Sequence, residues 1–169
     1  QVVCEPFDQW VIEDDFCNTK PCLDLVGAQF VSDVAPYEKL KLRMLNAGHS
    51  VLGLVGSVAG LETIHESVEA KQLKRLLSIF MEQEVMPTLD PVEGIDVYEY
   101  RDTLLSRFSN PFIKDTLARI CLESSAKLPV FLFPTVRDNL AANRDTDISA
   151  LVVACWAFYS DRHASQDGK

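Results

Sequence analysis

Pro36-Tyr37-Glu38-Lys39-Leu40-Lys41-Leu42-Arg43-Met44-Leu45-Asn46-Ala47-Gly48-His49, continuing as Ser50-Val51-Leu52-Gly53-Leu54-Val55-Gly56-Ser57-Val58-Ala59, holds the longest apolar texture in the chain. Proline is tolerated in the first turn of a helix, so the spacing predicts one helix from about Pro36 to near Ala59. It is apolar almost all round, as a buried helix should be. Gly53, Gly56 and Gly60 ask for close packing against neighbours or an early break. At about 100° per residue, Lys41, Asn46 and His49 fall within an arc of roughly 140°, and Glu38 joins them. A cation, an amide, an imidazole and a carboxylate thus share one side of an otherwise apolar helix. Left unpartnered in an interior they would be costly. They either pair among themselves (Lys41 snorkelling, Asn46 bonded to backbone, His49 a satisfied core histidine) or meet a ligand.

Outward from this helix the pattern stays helical. A second helix is predicted from about Leu61 to Met86, ending at Pro87, and a third from Asp96 to Phe108 with an acidic start. Asn110-Pro111 pairs a good N-cap with the preferred first helical residue, predicting a fourth helix that continues to about Ser125. Pro134 ends the next short piece, and a last helix runs from Ile148 to Tyr159 before a polar, frayed tail. Before Val34, short apolar pieces such as Gln9-Trp10-Val11-Ile12 and Ala28-Gln29-Phe30-Val31 read as extended or irregular segments. Residues 1–169 form a single, mainly α domain with a short extended N-terminal region. Trp10, Trp156 and Phe158 are expected in its core, and His65, between Glu62 and Glu66, on a solvated helix face.

Composition narrows the function classes. A net charge of -9 and a pI near 4.7 argue against nucleic acid or anionic membrane as a partner, because phosphates are bound by Lys and Arg. No apolar run is long enough to span a bilayer. The five cysteines are odd in number and scattered, which fits reduced thiols and a cytoplasmic setting. Cys17 and Cys22 are the only close pair, and no further ligand nearby completes a zinc site, so no metal is expected. Gln1 in place of an initiator methionine points to processing or to a longer parent chain. There is no Gly-x-Gly-x-x-Gly, no Walker loop and no Gly-x-Ser-x-Gly, hence no nucleotide-binding fingerprint and no cofactor-binding residue.

Lys41-Leu42-Arg43-Met44-Leu45-Asn46-Ala47-Gly48-His49 resembles the K-L-R-x-L-N-x-x-H signature of the mannitol dehydrogenase family, the polyol-specific long-chain dehydrogenases. Further pieces match in the same order: Gln9 to Asp14, Gln29-Phe30-Val31, Pro36-Tyr37-Glu38, Asn110-Pro111, Asp115 to Ile120, Ser125 to Pro129, and Arg137-Asp138-Asn139-Leu140. The resemblance implies a helical C-terminal domain of the 6-phosphogluconate dehydrogenase-like type, normally preceded by a Rossmann domain that holds NAD or NADP. It also implies that the chain stops short of the family's usual C-terminus. The implied reaction interconverts a polyol, such as mannitol, and a ketose. Fructuronate or tagaturonate reduction is the alternative within the family, and a noncatalytic helical interaction domain the alternative outside it.

By the same resemblance Lys41 matches the general base and Asn46 the residue that polarises the reacting oxygen. His49 matches the histidine that orients substrate, and Glu38 an acidic residue linked to proton escape. Arg119 and Lys127 are assigned to the substrate pocket. Without it, their spacing places them about 80° apart if the fourth helix stays regular as far as Lys127, where capping and solvated charge at a helix end would serve as well. A lysine walled by apolar groups can have its pKa lowered into a working range, and preorganised amides can hold a developing alkoxide without a metal. On this reading the chain by itself turns nothing over.

Overall fold

In the computed structural model, which describes residues 7–162, the helix expected from Pro36 to Ala59 forms as three consecutive windings. These are α1 (Ala35–Leu40), a π-helical turn (Lys41–Asn46) and α2 (Ala47–Val58). Within the π turn the ladder steps to i→i+5, and the Ala47 N–H reaches the Leu42 carbonyl. α2 is the centre of the core, with Val51, Leu52 and Leu54 at 1% exposure or less. Full burial of each such side chain contributes about 1.5–3 kcal/mol. The glycines serve both of their expected purposes. A Cβ on Gly53 would lie 2.8 Å from Ile120 Cγ2, and one on Gly56 only 2.3 Å from Ser67 Oγ. Gly60, at φ 81°, ends the run in a conformation that side chains rarely adopt.

The second helix, expected unbroken from Leu61 to Met86, is divided. Thr63 starts α3 (Ile64–Glu69): its hydroxyl accepts the Glu66 N–H, while the Glu66 carboxylate accepts the Thr63 and Glu62 N–H groups. Ala70 is extended, with ψ 110°, and α4 (Lys71–Ile79) sets off from it. The bend lets α3 and α4 both pack on α2, which one straight helix would not achieve. A second π turn (Phe80–Val85) and a short 3-10 turn (Met86–Thr88) close the stretch. α5 (Val97–Phe108) forms as expected, Asp96 accepting the Tyr98 and Glu99 N–H groups at 2.7 and 3.1 Å.

Asn110-Pro111 does not start a helix. The Asn110 side chain accepts the Phe112 N–H and closes a turn. Lys114 then takes a positive φ, and the chain runs extended to bridge Thr63 to Thr116. The fourth helix is therefore two, α6 (Leu117–Cys121), capped by Thr116, and α7 (Ser124–Phe131), separated where Glu123 takes φ 55°. Pro134 closes the preceding piece and sits in the first turn of α8 (Phe133–Ala141). The last helix, α9 (Asp147–Arg162), is longer than expected. Its first turn is held by buried Glu84, whose carboxylate accepts the Ile148 N–H at 2.7 Å, the Ser149 N–H at 3.0 Å and the Ser149 hydroxyl.

The extended region forms two short parallel strands, β1 (Val11–Glu13) and β2 (Gln29–Val31), with Ile12 opposite Phe30. So small a ribbon cannot bury both of its faces. Trp10 accordingly stays 50% exposed, and the core role expected of it is not met. Phe158 is also exposed and is covered by the Arg162 guanidinium instead, whereas Trp156 packs against the core. Cys4, His163 and most of the polar tail lie outside the described residues. Among the described residues no helix is long and apolar enough to cross a membrane.

Candidate functional site

The polar residues of the first helical run line a cleft of about 310 Å³. Lys41, Leu45 and Asn46 come from the first π turn, and His49 and Ser50 from the first turn of α2. Arg119 and Ile120 on α6, with Lys127 and Phe131 on α7, form the facing wall. Five of the six residues singled out in the sequence thus share one cavity. Glu38 does not line it; the residue sits on α1, exposed, one turn before Lys41. Three cations gather here although the whole chain is acidic.

The π turn changes the geometry that α-helical spacing predicts. In an i→i+5 winding, residues five apart stand one turn apart. Lys41 and Asn46 therefore align more closely than the 140° arc would allow. Ser50, one α turn beyond Asn46, donates to the Asn46 carbonyl at 3.3 Å and joins the same side; its i+4 spacing from Asn46 was the signal available for it. His49 is half-buried rather than a core histidine, its ring 4.8 Å from that of Phe108 at 52°. Lys41 is exposed. The apolar walls expected to desolvate it are not supplied by the described residues.

Arg119 and Lys127 do not share a regular helix, yet the break between α6 and α7 turns both toward the cavity. Arg119 donates to both carboxylate oxygens of Asp115, through Nε at 2.6 Å and through Nη2. That hydrogen bonding raises its already high pKa. Lys127 Nζ donates to the Ile120 carbonyl at 3.2 Å, so it both caps α6 and reaches the cleft. Behind this wall Cys121 is buried, and burial pushes its thiol up, away from the reactive thiolate.

A smaller cavity of about 100 Å³ shares Leu45 and His49 with the cleft and is lined also by His65, Arg107, Asn110 and Asp115. His65 is half-buried, its Nδ1 2.9 Å from the Ser109 carbonyl, not solvated as its neighbours in sequence imply. Nothing local could have signalled this, because the cavity exists only once the Thr63–Thr116 bridge folds the α5–α6 loop back. Among the described residues, no three His, Cys, Asp or Glu side chains gather as metal ligands.

A family profile described as the mannitol dehydrogenase C-terminal domain matches residues 33–168. Mannitol dehydrogenase 2 of Saccharomyces cerevisiae is 45% identical over 159 residues, covering 94% of this chain and 32% of the relative. Mannitol 2-dehydrogenase of Emericella nidulans is 43% identical over 161 residues, with the same coverage. Among solved structures, Pseudomonas fluorescens mannitol 2-dehydrogenase in ternary complex with NAD and D-mannitol superposes with a TM-score of 0.88 at 44% identity, covering 92% of this chain and 32% of that one. A D-sorbitol dehydrogenase in substrate-free form follows at 0.87 and 36%, covering 91% of this chain and 32% of that one. The chain spans about a third of the length of these relatives.

Proposed function

This chain belongs to the mannitol dehydrogenase family as a helical C-terminal domain, and from that premise we propose that its cleft removes the proton in the oxidation of a polyol to a ketose. The observation that carries the reading is the convergence of Lys41, Asn46 and His49, from one continuous winding, on a cavity faced by Arg119 and Lys127.

The described residues suit a polyol but not a dinucleotide. Gly53 and Gly56 are spent on helix crossings, and the turn glycines Gly27, Gly60 and Gly94 stand singly, without the Gly-x-Gly-x-x-Gly spacing that cradles a pyrophosphate. NAD or NADP is therefore assigned to a Rossmann domain in the remainder of the whole protein, where it supplies the hydride acceptor. Within this chain, the Lys41 amine takes the hydroxyl proton as the carbon–oxygen bond becomes a carbonyl. The Asn46 amide donates to the oxygen while it carries alkoxide charge. His49 orients a neighbouring hydroxyl, Arg119 and Lys127 bind those farther along, and Glu38, exposed one turn before Lys41, receives the outgoing proton. A facing domain that covers the open side of the cleft would exclude water from around Lys41 and the reacting hydroxyl. No metal is required, and the free thiols of Cys17 and Cys22 fit the reducing cytoplasm. The bidentate hold of Asp115 on Arg119 favours a neutral polyol over the carboxylate of a hexuronate.

The test is an assay of the whole protein across polyols and hexuronates with NAD and NADP. Asn46→Ala should lower kcat with little change in KM, and His49→Ala should raise KM as well. Effects of both on affinity alone would remove the electrostatic role given to Asn46. Titrated with NAD or NADP, the 169-residue chain alone should bind neither; binding would overturn the division of labour.

A further inference from the structure

Arg137-Asp138-Asn139-Leu140 has no place in the cleft, yet two of its residues hold the two π turns. Arg43 lies inside the first π turn, two residues after Lys41 and three before Asn46, and its side chain is 10% exposed. Its Nη1 donates to Asp138 Oδ2 on α8 at 2.6 Å and to the Thr88 carbonyl at 3.3 Å. Asn139, fully buried, donates through Nδ2 to the Glu84 carbonyl in the second π turn at 2.7 Å. Its Oδ1 is fixed in turn by Arg144 Nε at 2.7 Å. The two π turns touch each other. Consecutive residues of one helix therefore tie down two rare windings side by side.

We propose that Asp138, through Arg43, is a positioning residue that keeps the Lys41–Asn46 turn in its π register. A π turn is uncommon in isolation and persists where the surroundings hold it. If this one relaxed to α spacing, Asn46 would swing from one turn above Lys41 to roughly 140° away, and the base and the alkoxide donor would no longer address the same oxygen. Neither Arg43 nor Asp138 lines the cleft, so the pair acts only through the turn. The mechanistic half of this proposal rests on the reading of the cleft given above; the structural half does not.

The experiment uses the whole protein with Asp138→Ala, Asp138→Asn and, as a control, Lys39→Ala, which breaks the exposed Lys39–Asp90 pair on the preceding turn. Misplacement of reacting groups by about 1 Å costs on the order of 10²-fold. Asp138→Ala should therefore lower kcat about tenfold to a hundredfold while KM stays within about threefold. Asp138→Asn, which keeps an acceptor oxygen, should recover part of the loss, and Lys39→Ala should change neither constant. Amide exchange across residues 42–47 should quicken at least about tenfold in Asp138→Ala, with residues 51–56 unchanged. An unchanged kcat overturns the proposal, and so does unchanged exchange in the turn. A wild-type protein that oxidises no polyol removes the proposed function instead, and exchange alone then decides whether Asp138 holds the register. Should Asp138→Ala fail to fold, Arg43→Gln removes the charge that holds Asp138 while keeping a polar side chain, and gives the same readouts.

Discussion

The two π turns, Lys41–Asn46 and Phe80–Val85, share a winding and differ in what they present. The second is sealed along its inner side, where Phe80, Met81 and Val85 have no exposure and Glu84 turns inward to hold the start of α9, and its outer side carries only the exposed Glu82 and Gln83. The first is sealed on its inner side by Met44 and Arg43, and its outer side, with Asn46 half-buried and Lys41 in the open, lines the cleft. One winding thus serves the fold in one place and opens a cleft in the other. The neighbours decide which, since α8 and α9 both pack on the second turn, while α7 packs on the first and leaves the cleft between that turn, α6 and itself.

Changes on the sealed side should therefore cost stability, in an order set by what each leaves unmade. Glu84→Ala strands two backbone donors and a hydroxyl at the start of a 16-residue helix. A loss of about 3 kcal/mol is expected in urea unfolding; a loss under about 1 kcal/mol would mean that the second turn is not structural. Gly56→Ala drives a methyl against Ser67 Oγ and Leu117 Cδ1, at 2.3 and 2.9 Å. Overpacking of this kind costs about 1–3 kcal/mol, and a neutral result would show that α3 gives way. Thr63→Ala removes an N-cap, for about 1 kcal/mol. The backbone N–H groups of Glu62 and then Thr63 hold Glu66 below the usual glutamate range. A depressed carboxylate contributes stability above its unfolded pKa of about 4.3 and loses it as the pH falls through the folded value. The difference between wild type and Glu66→Gln should therefore shrink as the pH is lowered from 6 toward 3. Least of all, Lys39→Ala breaks an exposed pair and should move stability by less than about 0.5 kcal/mol.

Much of this fold was legible because the signals were local. The near-continuous apolar run of α2 required burial, and its glycines marked both the helix crossings at Gly53 and Gly56 and the stop at Gly60. Asp96 announced α5 by ordinary capping. What escaped was set by contacts distant in sequence. Asn110-Pro111 has the residues of a helix start, but the Thr63–Thr116 bridge holds the following segment extended. The break at Ala70 carries no glycine or proline and is explained by α3 and α4 both packing on α2. No residue type marks an i→i+5 winding, so the π turn was hidden although every polar residue on it was in view. For the candidate site, the residues were legible as a set and their setting was not. Periodicity brought Lys41, Asn46 and His49 together, while the exposure of Lys41 depends on where α6 and α7 place the facing wall of the cleft.

The reading of the cleft turns on Lys41. In the whole protein, Lys41→Ala should reduce polyol oxidation by about 10²–10⁴-fold, as expected for a lost general base. Small primary amines added to the assay should restore part of the rate, because an amine in the vacated space can take the same proton. Turnover by Lys41→Ala close to the wild-type rate would contradict the account, and so would a large loss that no amine relieves in a folded protein that still binds substrate.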